Sequence, residues 1–85
     1  MIQDKTELEE SYPKYTYQEN IFVKGMEFLK FETEDGQERY FVHYADGTID
    51  STQFTDVYPS GNLTIGKKEN GKEVMIDDDG IHNSW

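Results

Sequence analysis

Three features of this 85-residue chain predict a mainly β domain, a small antiparallel β-meander curling into a barrel or compact sandwich. Asp35-Gly36, Asp46-Gly47 and Asn70-Gly71 each stand between strand-like runs, and such pairs are the strongest short signals for a hairpin turn. Twelve residues are Phe, Tyr or Trp, which supplies large buried area to a chain too short for a deep core. The central strands carry apolar residues on both faces, which suits a sheet covered on two sides better than one open to water. A short N-terminal helix and one helical turn near 53–58 complete the expected fold.

In order along the chain, residues 1–13 read as an N-terminal arm or short helix and 14–85 as a single small β-domain. Asp4-x-x-Glu7 and Thr6-x-x-Glu9 both fit a capping box. Pro13 limits that helix, because the residue before a proline avoids the α region. Ile21-Phe22-Val23 reads as the first strand. With Asp35-Gly36 as a two-residue type I′ turn, Glu32 faces Arg39, Phe31 faces Tyr40 and Leu29 faces Val42. One face then collects Leu29, Phe31, Tyr40, Val42 and Tyr44; the other holds Met26, Phe28, Lys30, Glu32, Arg39, Phe41 and His43. Asp46-Gly47 as the next turn sets Tyr44 opposite Ile49 and His43 opposite Asp50. Asn70-Gly71 sets Glu69 opposite Lys72, Lys68 opposite Glu73 and Ile65 opposite Ile76. Phe54, Val57 and Tyr58 fall at i, i+3 and i+4, the spacing of one helical turn ending at Pro59 and Gly61.

Charge is the second strong signal. Eighteen acids against eight bases give a net charge of −10, which disfavours direct binding to nucleic acid or an anionic membrane. Basic partners are favoured, proteins that themselves bind nucleic acid among them. There is no cysteine, hence no thiolate nucleophile and no disulfide framework. The first residues lack the basic and apolar regions of a signal peptide, and no apolar run approaches membrane-spanning length. Together these lead us to expect a cytoplasmic protein.

The stretch "FVHYADGTIDSTQFTDVY", residues 41–58, resembles the strand, Asp-Gly turn, strand and short helical turn of SH3-like barrels, the Tudor and chromo type included. The resemblance implies an SH3-like barrel. The alternative function is then an interaction module or structural accessory subunit that recognises a peptide or protein partner through aromatic side chains, with Tyr58 or Trp85 as the candidate contacts.

Few residues are arranged for chemistry. His43 opposite Asp50 makes an imidazole–carboxylate contact, but no serine or cysteine falls in the same register to be activated, so a cross-strand pair is the expected role. Asp77-Asp78-Asp79-Gly80 lacks the alternating acids of a calcium loop, and a solvated acidic turn is expected. Tyr40, Tyr44, Phe54 and Tyr58 are candidates for an aromatic cage around a cationic side chain, weighed against their use as core. No phosphate-cradling glycine loop or metal-ligand spacing is present, so neither an enzyme nor a cofactor or metal is expected.

What remains is the distribution of acids. Glu32, Glu34, Asp35, Glu38, Asp46, Asp50 and Asp56 stand against Arg39 alone in residues 31–58. Same-face side chains on a strand repeat every ~6.6 Å, so carboxylates on a β-surface can approximate a stretch of phosphates. The expectation is a non-catalytic acidic binding protein that engages a basic surface through these seven residues, joined by Asp77 to Asp79. In size and composition it is similar to phage-encoded inhibitors of host defence or repair enzymes, which act as nucleic-acid mimics.

Overall fold

The computed structural model describes residues 2–82. After helix α1 (Lys5–Ser11) come seven strands: β1 (Thr16–Val23), β2 (Met26–Glu32), β3 (Glu38–His43), β4 (Phe54–Ser60), β5 (Leu63–Lys68), β6 (Glu73–Asp77) and β7 (Gly80–His82). They form one antiparallel sheet in which every strand pairs with its neighbours in sequence. The domain is therefore mainly β, as expected. The sheet is not closed, however, because β1 and β7 stand at opposite ends of the strand order.

The open sheet is strongly curled. Seven flat strands ~4.8 Å apart would span roughly 29 Å, which leaves no common core for the outermost strands. Yet Ile21 and Val23 of β1 and Ile81 of β7 pack on one inner cluster with Met26, Phe28, Tyr40, Val42, Phe54, Val57, Val74 and Ile76. The Thr64 hydroxyl of β5 also donates to the Val23 carbonyl of β1 at 3.3 Å. A second cluster lies on the outer face, where Leu29, Phe31, Phe41 and Ile49 are covered by Ile2 and Leu8, with Tyr12, Tyr15 and Tyr17 at its margin.

All three anticipated hairpins form, each one residue out of the expected register. Thr33 pairs with Gln37, Tyr44 with Thr48 and Lys68 with Lys72, through N–H···O bonds of 2.7, 2.8 and 2.8 Å. The loops are thus three residues long: a type I turn followed by a glycine in the left-handed region, with φ of +88°, +91° and +85° at Gly36, Gly47 and Gly71. The physical reason is local. A type I′ turn would force positive φ on the Asp or Asn as well, whereas here only the glycine takes it. The Asp46 carboxylate and the Asn70 amide oxygen then accept from the N–H two residues on, each at 2.9 Å. The type I′ signature occurs instead at Lys24-Gly25, between Val23 and Met26, where φ is +52° and +81°.

This slip redistributes the faces. Leu29 pairs with Phe41, Phe28 with Val42 and Phe31 with Arg39, so Phe28, Tyr40 and Val42 point inward while Leu29, Phe31 and Phe41 point outward. Slippage is normally penalised because it turns apolar residues to water. Here both faces of β2 and β3 are buried, and either register satisfies that rule. The anticipated Glu32–Arg39 pair does not form; Glu32 sits opposite Glu38. His43 pairs with Ile49, not Asp50. On the third hairpin Lys67 pairs with Glu73 and Ile65 with Met75, while Glu69 reaches Arg39 at 3.8 Å.

The helical turn expected near 53–58 is strand β4. A bulge at Thr55, where Phe54 pairs with Lys68 and Asp56 with Lys67, returns Phe54 and Val57 to the same face. An i, i+3 spacing thus arises in a strand from one extra residue. Pro59 is tolerated because the β3–β4 ladder consists of the Tyr40–Phe54 pair, leaving the far side of the strand at Pro59 without a ladder to interrupt. At the N-terminus, Asp4 caps α1 by accepting from the Glu7 N–H at 2.8 Å; of the two capping boxes the sequence offers, Asp4 to Glu7 sets the helix start.

Candidate functional site

The seven acids proposed from sequence do not form one patch. Glu32, Glu34, Asp35 and Glu38 surround the β2–β3 turn, whereas Asp46 and Asp50 lie past the other end of β3. Six strand residues at ~3.4 Å each put the two groups roughly 20 Å apart. Asp56, exposed on β4, belongs with the first group: its charge and that of Glu38 add to burial in raising the Tyr40 hydroxyl above its ordinary pKa.

At the β2–β3 end, Lys30 is held between acids, with Nζ 2.7 Å from Glu38 and 3.7 Å from Glu19. Its side chain is 23% exposed, and the hydrogen bond to Glu38 raises its pKa above the ordinary lysine value. Arg39 is more covered still, at 12% exposure. Its Nη1 donates to the Glu38 carbonyl and its Nη2 to Gln37 Oε1, while its buried Nε has no hydrogen-bond partner. Lys14 meets Glu34 at 3.5 Å with both side chains largely in water. The Asp35 carboxylate accepts from the Thr33 hydroxyl, which lowers its pKa.

At the other end Asp46, Asp50, Asp78 and Asp79 line a surface cleft of about 660 Å³, together with Tyr44, Thr52 and Lys68. Hydrogen bonds from the Thr48 hydroxyl and N–H lower the pKa of Asp46. Asp77 accepts from His82 at 2.9 Å, and that contact lowers its pKa. Tyr44 donates to Asp50 at 3.2 Å. Burial, reinforced by the charge of Asp50 and more weakly of Asp77 and Asp46, pushes the Tyr44 hydroxyl up to about 12. A folded-state pKa above the unfolded value of ~10 contributes stability that is present below pH ~10 and lost as pH rises through about 12. Alkaline titration followed by tyrosine absorbance should therefore end on a step near pH 12, coincident with loss of stability, which Tyr44→Phe removes.

His43 stands 2.7 Å from Glu27 Oε1 through Nδ1, in place of the anticipated Asp50. That contact lacks hydrogen-bond alignment, and the other Glu27 oxygen accepts from Asn20 at 2.7 Å. The arrangement is a cross-strand polar chain on the outer face. The four candidate cage rings are not assembled around a void either: Phe54 is fully buried, Tyr40 nearly so, and both belong to the inner cluster with Tyr44 beside them. Tyr58 is half-buried and its hydroxyl donates to Glu73. Trp85 lies outside the described residues.

Sequence reasoning missed the covering of Arg39 on the outer face, opposite Phe31, because the assumed register set it opposite Glu32. It also missed Phe22, which is 68% exposed on the edge strand β1. No group of three or more His, Asp or Glu side chains among the described residues is placed to hold a metal, and no described helix is long and apolar enough to cross a membrane. No protein-family model matches the chain, and neither a curated protein nor a solved structure is significantly similar to it.

Proposed function

We propose that this protein is a non-catalytic acidic binding protein that engages a basic surface on another protein, in the manner of a nucleic-acid mimic or inhibitor. The observation that carries this reading is the fate of Arg39. It is the one base in residues 31–58, and at 12% exposure it turns toward Glu69. Glu32, Glu34, Asp35, Glu38, Asp46 and Asp56 are exposed, and Asp50 is half-buried. The segment thus meets solvent with its acids outward and its base folded in. Association with a basic partner should be fast and should weaken steeply with salt. Two acidic ends roughly 20 Å apart suit a broad basic groove better than a single binding pocket.

Charge reversal tests this without unfolding the protein. Glu32 and Glu38 are like charges directly opposite one another, so Glu32→Lys replaces repulsion with attraction and should raise stability by about 0.2–1 kcal/mol. A tagged copy captures its partner from host lysate, and the partner is eluted with salt or displaced with duplex DNA. Glu32→Lys/Glu34→Lys at one end and Asp78→Lys/Asp79→Lys at the other should each reduce capture while leaving thermal stability intact. A partner that resists both salt and DNA, or that both variants capture as well as the unsubstituted protein does, would overturn the proposal.

A second reading, an SH3-like interaction module working through Tyr58 or Trp85, is supported by the curl of the meander and by the resemblance of residues 41–58. It predicts capture that is insensitive to salt and is lost in Tyr58→Ala.

A further inference from the structure

We propose that the N-terminal arm, residues 2–12, is a strap that opens as a unit about an exposed hinge at Pro13-Lys14, uncovering the apolar outer face of β2–β3 while the sheet stays folded. The arm holds on at a few points. Ile2 forms a two-bond bridge with Ile49, Ile2 N–H to the Ile49 carbonyl at 2.9 Å and Ile49 N–H to the Ile2 carbonyl at 2.7 Å. Leu8, 1% exposed, is the buried residue of α1. Tyr12 lies against Phe41 with ring centroids 5.6 Å apart, and Lys5 Nζ sits 3.7 Å above the Tyr17 ring.

Each of these attachments can be released without breaking the ladder beneath. Leu29, Phe31 and Phe41 belong to strands paired independently of the arm. Ile49 keeps its place through its bridge to His43 and through the neighbouring Asp50 N–H, which donates to the Val42 carbonyl at 3.0 Å. Pro13 and Lys14 are exposed, and neither belongs to α1 or β1. Intrinsic forces also favour release. A seven-residue helix is too short to be stable undocked. The arm carries Asp4, Glu7, Glu9 and Glu10 against Lys5 on a chain of net charge −10, so closure adds a net negative segment to a net negative body.

Native-state hydrogen exchange of the full chain tests this, because the Ile49 amide belongs to the body but is protected by the strap. The Ile49, Leu8 and Tyr12 amides should share one opening constant, at least tenfold larger than that of the β2–β3 ladder amides and nearly independent of denaturant. Two substitutions separate local from global opening. Val74→Ala, in the inner cluster, should accelerate the ladder amides at least tenfold and leave Ile49, Leu8 and Tyr12 within about twofold. Leu8→Ala weakens only the closed state, so it should accelerate both sets by a similar factor and keep the gap between them. The proposal is overturned if Ile49 exchanges at the ladder's rate, if it separates from Leu8 and Tyr12, or if Val74→Ala accelerates all the amides alike.

Discussion

Gly66→Ala is expected to destabilise the fold by about 1–3 kcal/mol, a large effect for one methyl group. Gly66 lies in β5 between Val57 and Val74. A Cβ there would stand 2.6 Å from Phe54 Cδ1 and 2.7 Å from both Phe54 Cε1 and Ile76 Cδ1. Phe54 is fully buried and Ile76 is 2% exposed, so neither side chain can swing into solvent. The cost is steric, since Gly66 does not have positive φ. Urea denaturation should show a lower midpoint with an unchanged slope. Phe54→Leu in the Gly66→Ala background should recover part of the loss, with a coupling of about 0.5–3 kcal/mol in the double-mutant cycle. An unchanged midpoint in the single variant would mean that the bulge at Thr55 does not aim Phe54 at Gly66.

Phe41→Ala is expected to cost more, about 3–5 kcal/mol, against a total stability of about 5–15 kcal/mol for a domain of ordinary stability. Phe41 is fully buried in the outer cluster. Its ring meets Phe31 edge-on, at 5.6 Å and 86°, and Tyr12 at 5.6 Å; Tyr12 in turn stacks on Tyr15 at 4.9 Å. Removing it opens a cavity beneath the arm and deletes the ring on which Tyr12 rests. The informative comparison is Phe22→Ala, the same substitution at a residue that is 68% exposed, expected to change stability by no more than about 0.5 kcal/mol. Similar denaturation midpoints for the two variants would contradict a core on both sides of the sheet.

The turns, the strands beside them and the capped helix were legible because their causes are local. Asp4 caps α1 from within four residues, and each Asx-Gly pair makes its hairpin whatever lies across the sheet. Errors arose where a local rule admitted two answers. An Asp-Gly pair fits a two- or a three-residue loop, and only the conformation of the Asp distinguishes them. An i, i+3, i+4 spacing fits a helical turn or a bulged strand, and β4 takes the second because Lys67 and Lys68 of β5 pair with it. The candidate site suffered in proportion. All seven acids could be picked out from the sequence, but their division between two ends of β3 follows from topology.

The amino-acid sequence by itself determined the class of fold, the position of every Asx-Gly turn and the excess of carboxylates, since each depends on residue type or on neighbours a few positions away. The tertiary structure decided the register, the open curl of the sheet and the burial of Arg39 and Lys30 among acids. Those outcomes depend on which apolar face each strand offers its partner. With Phe28, Tyr40 and Val42 on one side and Leu29, Phe31 and Phe41 on the other, both sides of β2 and β3 are equally greasy. Only the packing of the whole chain, with Phe54 over Gly66 within and the N-terminal arm over Phe41 without, distinguishes them.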